Sequence, residues 1–205
     1  MKLFSAILPL CIASVAHAAS VQVVFSDSGQ GAATQLQIIN AATQSIHVAM
    51  FEFTDVRYFT ALTNAQARGV DVRLIADKSE SITPGSKVPA LLAALGTNRV
   101  QVIGGWRPGH IMHEKVVIVD GFIVILGSFN WTKAADQGNY EVFMVHHSRA
   151  LAKLFEAEFM KLENQTAKSV SDMQSSEPKP AKTSLLHTCC LWDVVGCLFM
   201  WYELY

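Results

Sequence analysis

Two β-branched or apolar runs, Val116 to Val119 and Phe122 to Leu126, flank the dipeptide Asp120-Gly121. Asp-Gly between such runs predicts a tight β-hairpin. With a two-residue loop, Val119 faces Phe122, Val117 faces Val124, Lys115 faces Leu126 and His113 falls opposite Ser128. Side chains alternate along a strand, so His113 and Lys115 share one face. Asn130 continues from Ser128 on the partner strand. An imidazole, an ammonium, a hydroxyl and an amide then converge on a phosphate-sized space at the open end of the hairpin. Gly127 fits a position where backbone must approach closely.

The same register leaves Asp120 at the turn, roughly 23 Å from His113 along an extended strand. Asp120 is therefore expected to be a structural member of the pattern. Read as one pattern, the six residues spell His-x-Lys-x4-Asp-x6-Gly-Ser-x-Asn, which resembles the HKD signature of the phospholipase D superfamily.

Outside the hairpin, strands and helices alternate. Val21 to Phe25 reads as a strand, about Gln30 to Ala42 as a helix, and Ile46 to Phe51 as the next strand. Asp55 can cap a helix in which Val56, Phe59 and Leu62 recur at helical spacing and which stops at Gly69, before a strand over Val70 to Ile75. A short helix over Val88 to Leu95 precedes a strand at Val100 to Ile103 and the loop Gly104-Gly105-Trp106-Arg107-Pro108-Gly109. Glu141 to Val145 adds a last strand, and Ser148 can cap a final helix with Leu151, Leu154, Phe155, Phe159 and Leu162 on one face. The expected fold is α/β, a single domain over about residues 19–165 with a mixed β-sheet flanked by helices.

This order is similar to one phospholipase D repeat over about residues 21–163. Ala49-Met50-Phe51-Glu52-Phe53-Thr54 and Arg68-Gly69-Val70-Asp71-Val72 resemble segments of the small secreted Nuc-type endonucleases. The resemblance implies that Glu141, in Asn139-Tyr140-Glu141, is the carboxylate that orients an imidazole. It also implies a homodimer, because the chain carries one HKD copy where larger relatives carry two.

The ends of the chain read differently from its middle. Lys2, the apolar run Leu3 to Val15 and Ala16-His17-Ala18 make residues 1–18 a secretory signal peptide, giving a secreted or periplasmic mature protein. Residues 166–184, rich in Ser, Lys, Pro and Gln, read as a flexible linker. Residues 185–205 form an apolar tail that is too short for a spanning helix and contains Asp193. The tail is a docking or membrane-surface element, a lineage-specific extension, or a read-through sequence without function. Cys189, Cys190 and Cys197 are an odd number for an oxidising compartment, and with His187 they lack the paired spacing of a structural zinc site.

Charge bounds the partner. The chain has 16 basic and 17 acidic residues, unlike the basic footprint of a tight non-specific nucleic-acid binder. A local groove suffices for an enzyme, and Lys115, Lys133, Arg107 and Lys78 lie in segments expected near it. Trp106 and Trp131 flank the motif and read as packing residues or as base-stacking aromatics. His47, His110, His146 and His147 read as structural or surface residues, and Glu114 alternates away from the site.

The resemblance implies phosphodiester cleavage with no cofactor and no metal. His113 of one subunit attacks phosphorus and His113 of the other protonates the leaving oxygen. Lys115 and Asn130 clamp the non-bridging oxygens, Ser128 donates a further hydrogen bond, and Glu141 holds an imidazole in its reactive tautomer. A nucleic-acid substrate is the first expectation, a phospholipid the second, and non-catalytic nucleic-acid binding the third.

Overall fold

The computed structural model describes residues 20–175, with side chains described to residue 165. The expected signal peptide and apolar tail lie outside the described residues. Among the described residues seven strands form one sheet in the order β1-β7-β6-β5-β2-β3-β4. They are β1 (Ser20–Phe25), β2 (Ser45–Met50), β3 (Asp71–Asp77), β4 (Val100–Ile103), β5 (Lys115–Val119), β6 (Ile123–Gly127) and β7 (Val142–His147). β2, β3 and β4 run parallel, while β5, β6, β7 and β1 continue the sheet antiparallel from the other edge of β2. The mixed α/β sheet expected from the sequence is the one observed.

Among the described residues six α-helices accompany the sheet: α1 (Gly31–Ala41), α2 (Val56–Ala67), α3 (Lys78–Ser81), α4 (Val88–Leu95), α5 (Lys133–Gln137) and α6 (Arg149–Ser175). The strand β5 is buried along its whole length, and its alternate residues feed two cores. Val117 and Val119 join Ile39, Tyr58, Leu62 and Leu91 from α1, α2 and α4 on one face. Val116 and Ile118 join Ala152, Phe159 and Leu162 of α6 on the other. Each such side chain contributes about 1.5–3 kcal/mol on burial, so both faces hold the hairpin in place.

Local chemistry sets the helix ends. The Asp55 carboxylate accepts from the Arg57 amide at 2.9 Å, as its capping role requires. Ser148 Oγ accepts from the Leu151 amide at 3.2 Å and starts α6. That helix runs on to Ser175, so the first ten residues of the expected linker are helical. Its polar composition suggested a linker, yet no proline falls within residues 149–177. The short helices α3 and α5 were not anticipated. Each depends on a cap, Asp77 accepting from the Ser79 and Glu80 amides and Thr132 Oγ1 from the Ala135 amide, rather than on an apolar period.

The hairpin differs from expectation by one residue. The Phe122 amide donates to the Val119 carbonyl at 3.0 Å, and Asp120 and Gly121 have φ of 52° and 58°, as a primed turn demands. The ladder nevertheless pairs Val119 with Ile123 and Val117 with Ile125. Phe122 is thus an extra residue, a bulge that shifts β6 against β5. Its own carbonyl is used elsewhere, accepting from the Ser148 amide at 2.8 Å. Val116 therefore faces Leu126, and the expected pairings of Lys115 with Leu126 and His113 with Ser128 do not hold.

The helix α6 packs over β2 to β6. On that same face β1 and β7 carry Val21, Val23 and Phe25 beside Val142 and Met144, all of them exposed.

Candidate active site

The carboxyl ends of β1, β2, β3, β4 and β6 and the amino ends of β5 and β7 share one edge of the sheet. Ligands in open α/β sheets gather beyond the carboxyl ends of the parallel strands. His113, Lys115, Ser128, Asn130 and Glu141 all come to this edge.

Lys115 opens β5 and lies opposite Met50, the last residue of β2. Only 9% of it is exposed. Its Nζ donates to the His113 carbonyl at 3.0 Å and sits 4.9 Å from the centre of the Phe51 ring. Burial pulls its pKa down, while the charges of Glu141 and Glu52 work in the opposite direction. The His113 side chain is exposed, its ring 4.5 Å from the same Phe51 ring. Phe51 thus has the imidazole and the ammonium against it, which fits the shared face expected for them. Among the described residues no hydrogen bond reaches the His113 ring.

Two anchors fix the backbone around His113. The buried Asp77 carboxylate accepts from the Met112 amide at 2.7 Å, directly before His113. Burial opposes ionisation of Asp77, but bonds from Ser79, Met112 and Glu80 hold its pKa below the usual range. The Phe51 amide donates to the Glu114 carbonyl at 3.0 Å, directly after His113. Glu114 itself points to the α6 face, as alternation predicts.

Glu141 is not bonded to His113 within one chain. Its carboxylate instead accepts from the Ser128 hydroxyl and, at 3.1 Å, from the Asn139 side-chain amide Nδ2. The Ser128 hydroxyl also accepts from the Val142 amide at 3.2 Å, and the Ser128 amide donates to the Val142 carbonyl at 2.9 Å. Ser128 and Glu141 are therefore one unit joining β6 to β7. Gly127 is forced by this contact: a Cβ there would lie 2.2 Å from the Val142 carbonyl oxygen and 2.5 Å from Phe143 Cα.

Asn130 lies in the loop after β6, which is clasped by the loop after β2. The Trp131 amide donates to the Glu52 carbonyl at 3.0 Å, and the Trp131 carbonyl accepts from the Thr54 and Asp55 amides, each at 2.9 Å. Asn130 is not a helix cap; Thr132 takes that role for α5. Its Oδ1 is buried without a hydrogen-bond partner among the described residues. Trp131 is fully buried, stacked on Tyr58 at 4.3 Å and donating from Nε1 to Gln35 at 2.9 Å, which leaves no ring face for a ligand.

Asp120 is at the far end of the hairpin, as expected. Its carboxylate accepts from the Thr43, Gln44 and Ser45 amides at 3.0, 2.7 and 3.0 Å and from Thr43 Oγ1 at 2.9 Å. It fastens the turn to the segment leading into β2. Among the described residues no group of His, Cys, Asp and Glu is arranged to hold a metal ion.

Phe51 and Glu52 were not singled out by the sequence reading, although both sit in a quoted segment. Their signal was position: they follow the strand that pairs with the start of β5. His47, read as structural, is tied by Nδ1 to Glu156 of α6 at 2.7 Å and stacks on Phe159.

Residues 36–163 match the family described as "Cardiolipin synthase, PLD-like domain". The chain belongs to the phospholipase D-like family. This phospholipase D-like domain is 33% identical to Nuc from Salmonella typhimurium, a phospholipase D family member; the match covers 72% of this chain and 96% of that one, with a TM-score of 0.64. NucT from Helicobacter pylori shares the fold at 24% identity and a TM-score of 0.65, covering 72% and 97% of the two chains. A phospholipase D of Rickettsia conorii is 39% identical over 117 residues, 57% of this chain and 56% of its own length. A mitochondrial cardiolipin hydrolase of Xenopus tropicalis is 32% identical over 127 residues, 62% and 58% of the two chains. The phospholipase D-like chain thus matches little more than half the length of these curated relatives.

Proposed function

We propose that the protein is a metal-independent phosphodiesterase, an endonuclease that cleaves DNA, and RNA where it meets it, through a phosphohistidine on His113. The observation that carries this reading is the exposed imidazole of His113 beside the sheltered ammonium of Lys115 at the carboxyl edge of the sheet. A nucleophile that must reach phosphorus has to face solvent, and a cation that neutralises developing charge acts most strongly where water is scarce.

One chain supplies one imidazole, and the in-line displacement needs an attacker and an acid. A second copy, related by two-fold symmetry, supplies the other. His113 of one protomer forms the P–N bond as the P–O bond breaks, and its counterpart gives its proton to the departing alkoxide. Water then attacks the phosphohistidine with the second imidazole as base, returning both residues to their starting states. Lys115 pairs with a non-bridging oxygen. Turning the Asn130 amide over exchanges its unpaired oxygen for a donor, which suits a second phosphate oxygen. Glu141, held by Ser128, adds negative charge beside Lys115.

The uncovered face of β1 and β7 supports the dimer. Val21, Val23 and Phe25 with Val142 and Met144 form a contiguous apolar surface, and Val142 is the neighbour of Glu141. On the adjoining helix Leu154 is 68% exposed. A two-fold pairing lets the α6 of each copy cover the vacant half of the other's sheet, an isologous arrangement.

A phospholipid substrate is the second reading, favoured by relatives named phospholipase D and mitochondrial cardiolipin hydrolase. Purified protein is incubated with plasmid DNA and with phosphatidylcholine or cardiolipin vesicles, in EDTA, beside a His113→Asn control. Nicking that survives the chelator and disappears with the substitution is the expected result. Release of choline or phosphatidic acid without nicking selects the lipid, and retention of DNA without product selects a binder. Cleavage lost in EDTA and restored by a divalent ion removes the mechanism.

A further inference from the structure

The loop between β4 and β5 presents an indole on a fastened tip. The Gly105 amide donates to the His110 carbonyl at 2.7 Å, and the His110 amide to the Arg107 carbonyl at 3.2 Å, so residues 106–109 project as a short turn rather than a free strand of chain. Gly105 is needed for this closure, since a Cβ there would come within 2.7 Å of His110 Cβ. At the tip Trp106 is 81% exposed. An aromatic held that far out by a closed turn has no packing role to explain it.

Beneath the tip lies a slot of about 300 Å³ between this loop and α6, and His113 lines the same slot. The wall opposite Trp106 comes from Glu158, Lys161 and Leu162 of α6, with Ile111, Met112 and Glu114 between them. The Arg107 guanidinium stacks 4.2 Å from the Trp106 ring centre, yet Arg107 lines the neighbouring hollow with Lys78 and Ile82, not the slot. The ring is thus braced from outside.

We propose that this slot is a nucleobase subsite, in which an unpaired base next to the scissile phosphate stacks on Trp106 and is read by Glu114. The proposal rests on the nuclease reading and adds to it a substrate class, single-stranded nucleic acid. Three features of the slot favour a base over a phosphate. Its lining is mainly apolar. Of its charged groups, Glu158 and Lys161 pair with each other at 2.9 Å, which leaves the Glu114 carboxyl, a group that disfavours an anion but accepts from exocyclic amines. Burial first, and then the charge of Glu158, push the Glu114 carboxyl up, against the pull of Lys161. Arg107 and Lys78 in the adjoining hollow give the sugar–phosphate backbone a cationic path past the slot. A base in a duplex is stacked and paired and cannot enter, whereas one in a single strand swings in at little cost.

The test compares three strands of equal length: a single-stranded oligonucleotide, the same sequence in a duplex, and a single strand with abasic residues around one cut site. The full chain and its Trp106→Ala and Trp106→Phe variants are assayed on each. The side chain's exposure makes both substitutions harmless to folding. Expected for the unaltered protein is a lower KM for the base-bearing single strand than for the other two. Trp106→Ala raises that KM roughly tenfold, the scale of one base–aromatic stack, and leaves kcat and the abasic cut unchanged; Trp106→Phe keeps most of the affinity. Equal cleavage of base-bearing and abasic strands, or no response to Trp106→Ala, overturns the subsite while the nuclease reading stands. No cleavage of any strand overturns both, and choline release from phosphatidylcholine vesicles that then falls with Trp106→Ala assigns the slot to a quaternary ammonium headgroup instead.

Discussion

Replacing Asp120 separates holding the hairpin from working on phosphate. Its carboxylate accepts from three backbone amides and one hydroxyl of Thr43, Gln44 and Ser45. Bonds to a charged acceptor contribute about 1.5–3 kcal/mol each when sheltered. These are mostly exposed, so water replaces much of what is lost, and about 2–4 kcal/mol for the set is the reasonable scale. Asp120 also has φ of 52°, a region that costs a β-carbon residue such as Ala about 1–2 kcal/mol. Asp120→Ala is therefore expected to lower stability by about 3–6 kcal/mol, a large share of a typical domain's margin. Asp120→Asn tolerates the backbone and keeps one acceptor oxygen, so it should cost about half as much. Burial opposes ionisation of Asp120, but the bonds from Ser45, Gln44 and Thr43 prevail and depress its pKa. A depressed carboxylate contributes stability above its unfolded value, about 3.9, and loses that contribution as pH falls through the folded value. The gap between the unaltered protein and Asp120→Asn should thus be full at pH 7 and close in acid. Urea unfolding at a series of pH values measures it, with cleavage per folded molecule followed alongside. A variant with unchanged stability and lost cleavage would refute the structural role of Asp120.

Lys115→Met removes a buried charge and fills a similar volume. Burial of an ammonium is costly, so the urea midpoint should stay level or rise, while cleavage falls by about 100-fold or more through loss of charge stabilisation; a large loss of stability instead would mark Lys115 as a packing residue. Gly127→Ala drives a methyl into the Val142 carbonyl and Phe143, and should destabilise by about 2–4 kcal/mol, seen as a lowered thermal midpoint. Met144→Asp places a charge in the middle of the uncovered β1–β7 face. Sedimentation should show a folded monomer, and cleavage should vanish with the dimer; an active monomer would end the shared-site scheme.

Much of this fold was legible because the two period signals are strong. The α4 and β4 bounds agree with the spacing of Val88 to Leu95 and Val100 to Ile103, since each is an apolar run closed by a glycine or a turn. The hairpin was also legible, including which residues turn, but not the bulge at Phe122. Asp-Gly specifies which residues turn, whereas the extra residue is stabilised from a distance, by the Ser148 amide on the Phe122 carbonyl. A two-residue loop is the local optimum, and a tertiary hydrogen bond outweighed it.

The same division runs through the site. His113 and Lys115 were readable together because a strand's alternation is a short-range rule. Glu141 was picked out from the sequence, but its hydrogen-bond partners were not: Ser128 and Asn139 take its carboxylate because β7 pairs with β6 and brings Val142 against Gly127 and Ser128. Glycine at 127 is what permits that approach, so the motif's Gly-Ser pair is a strand-docking device whose second residue holds the acid. On the proposed shared-site reading, Glu141 meets an imidazole either after giving up Ser128 or across the proposed two-fold axis. These alternatives separate in the Ser128→Ala variant. If the carboxylate serves its own His113, freeing it should raise cleavage or shift its pH profile; if it serves the partner's site from its present anchorage, the same substitution should lower cleavage without shifting the profile.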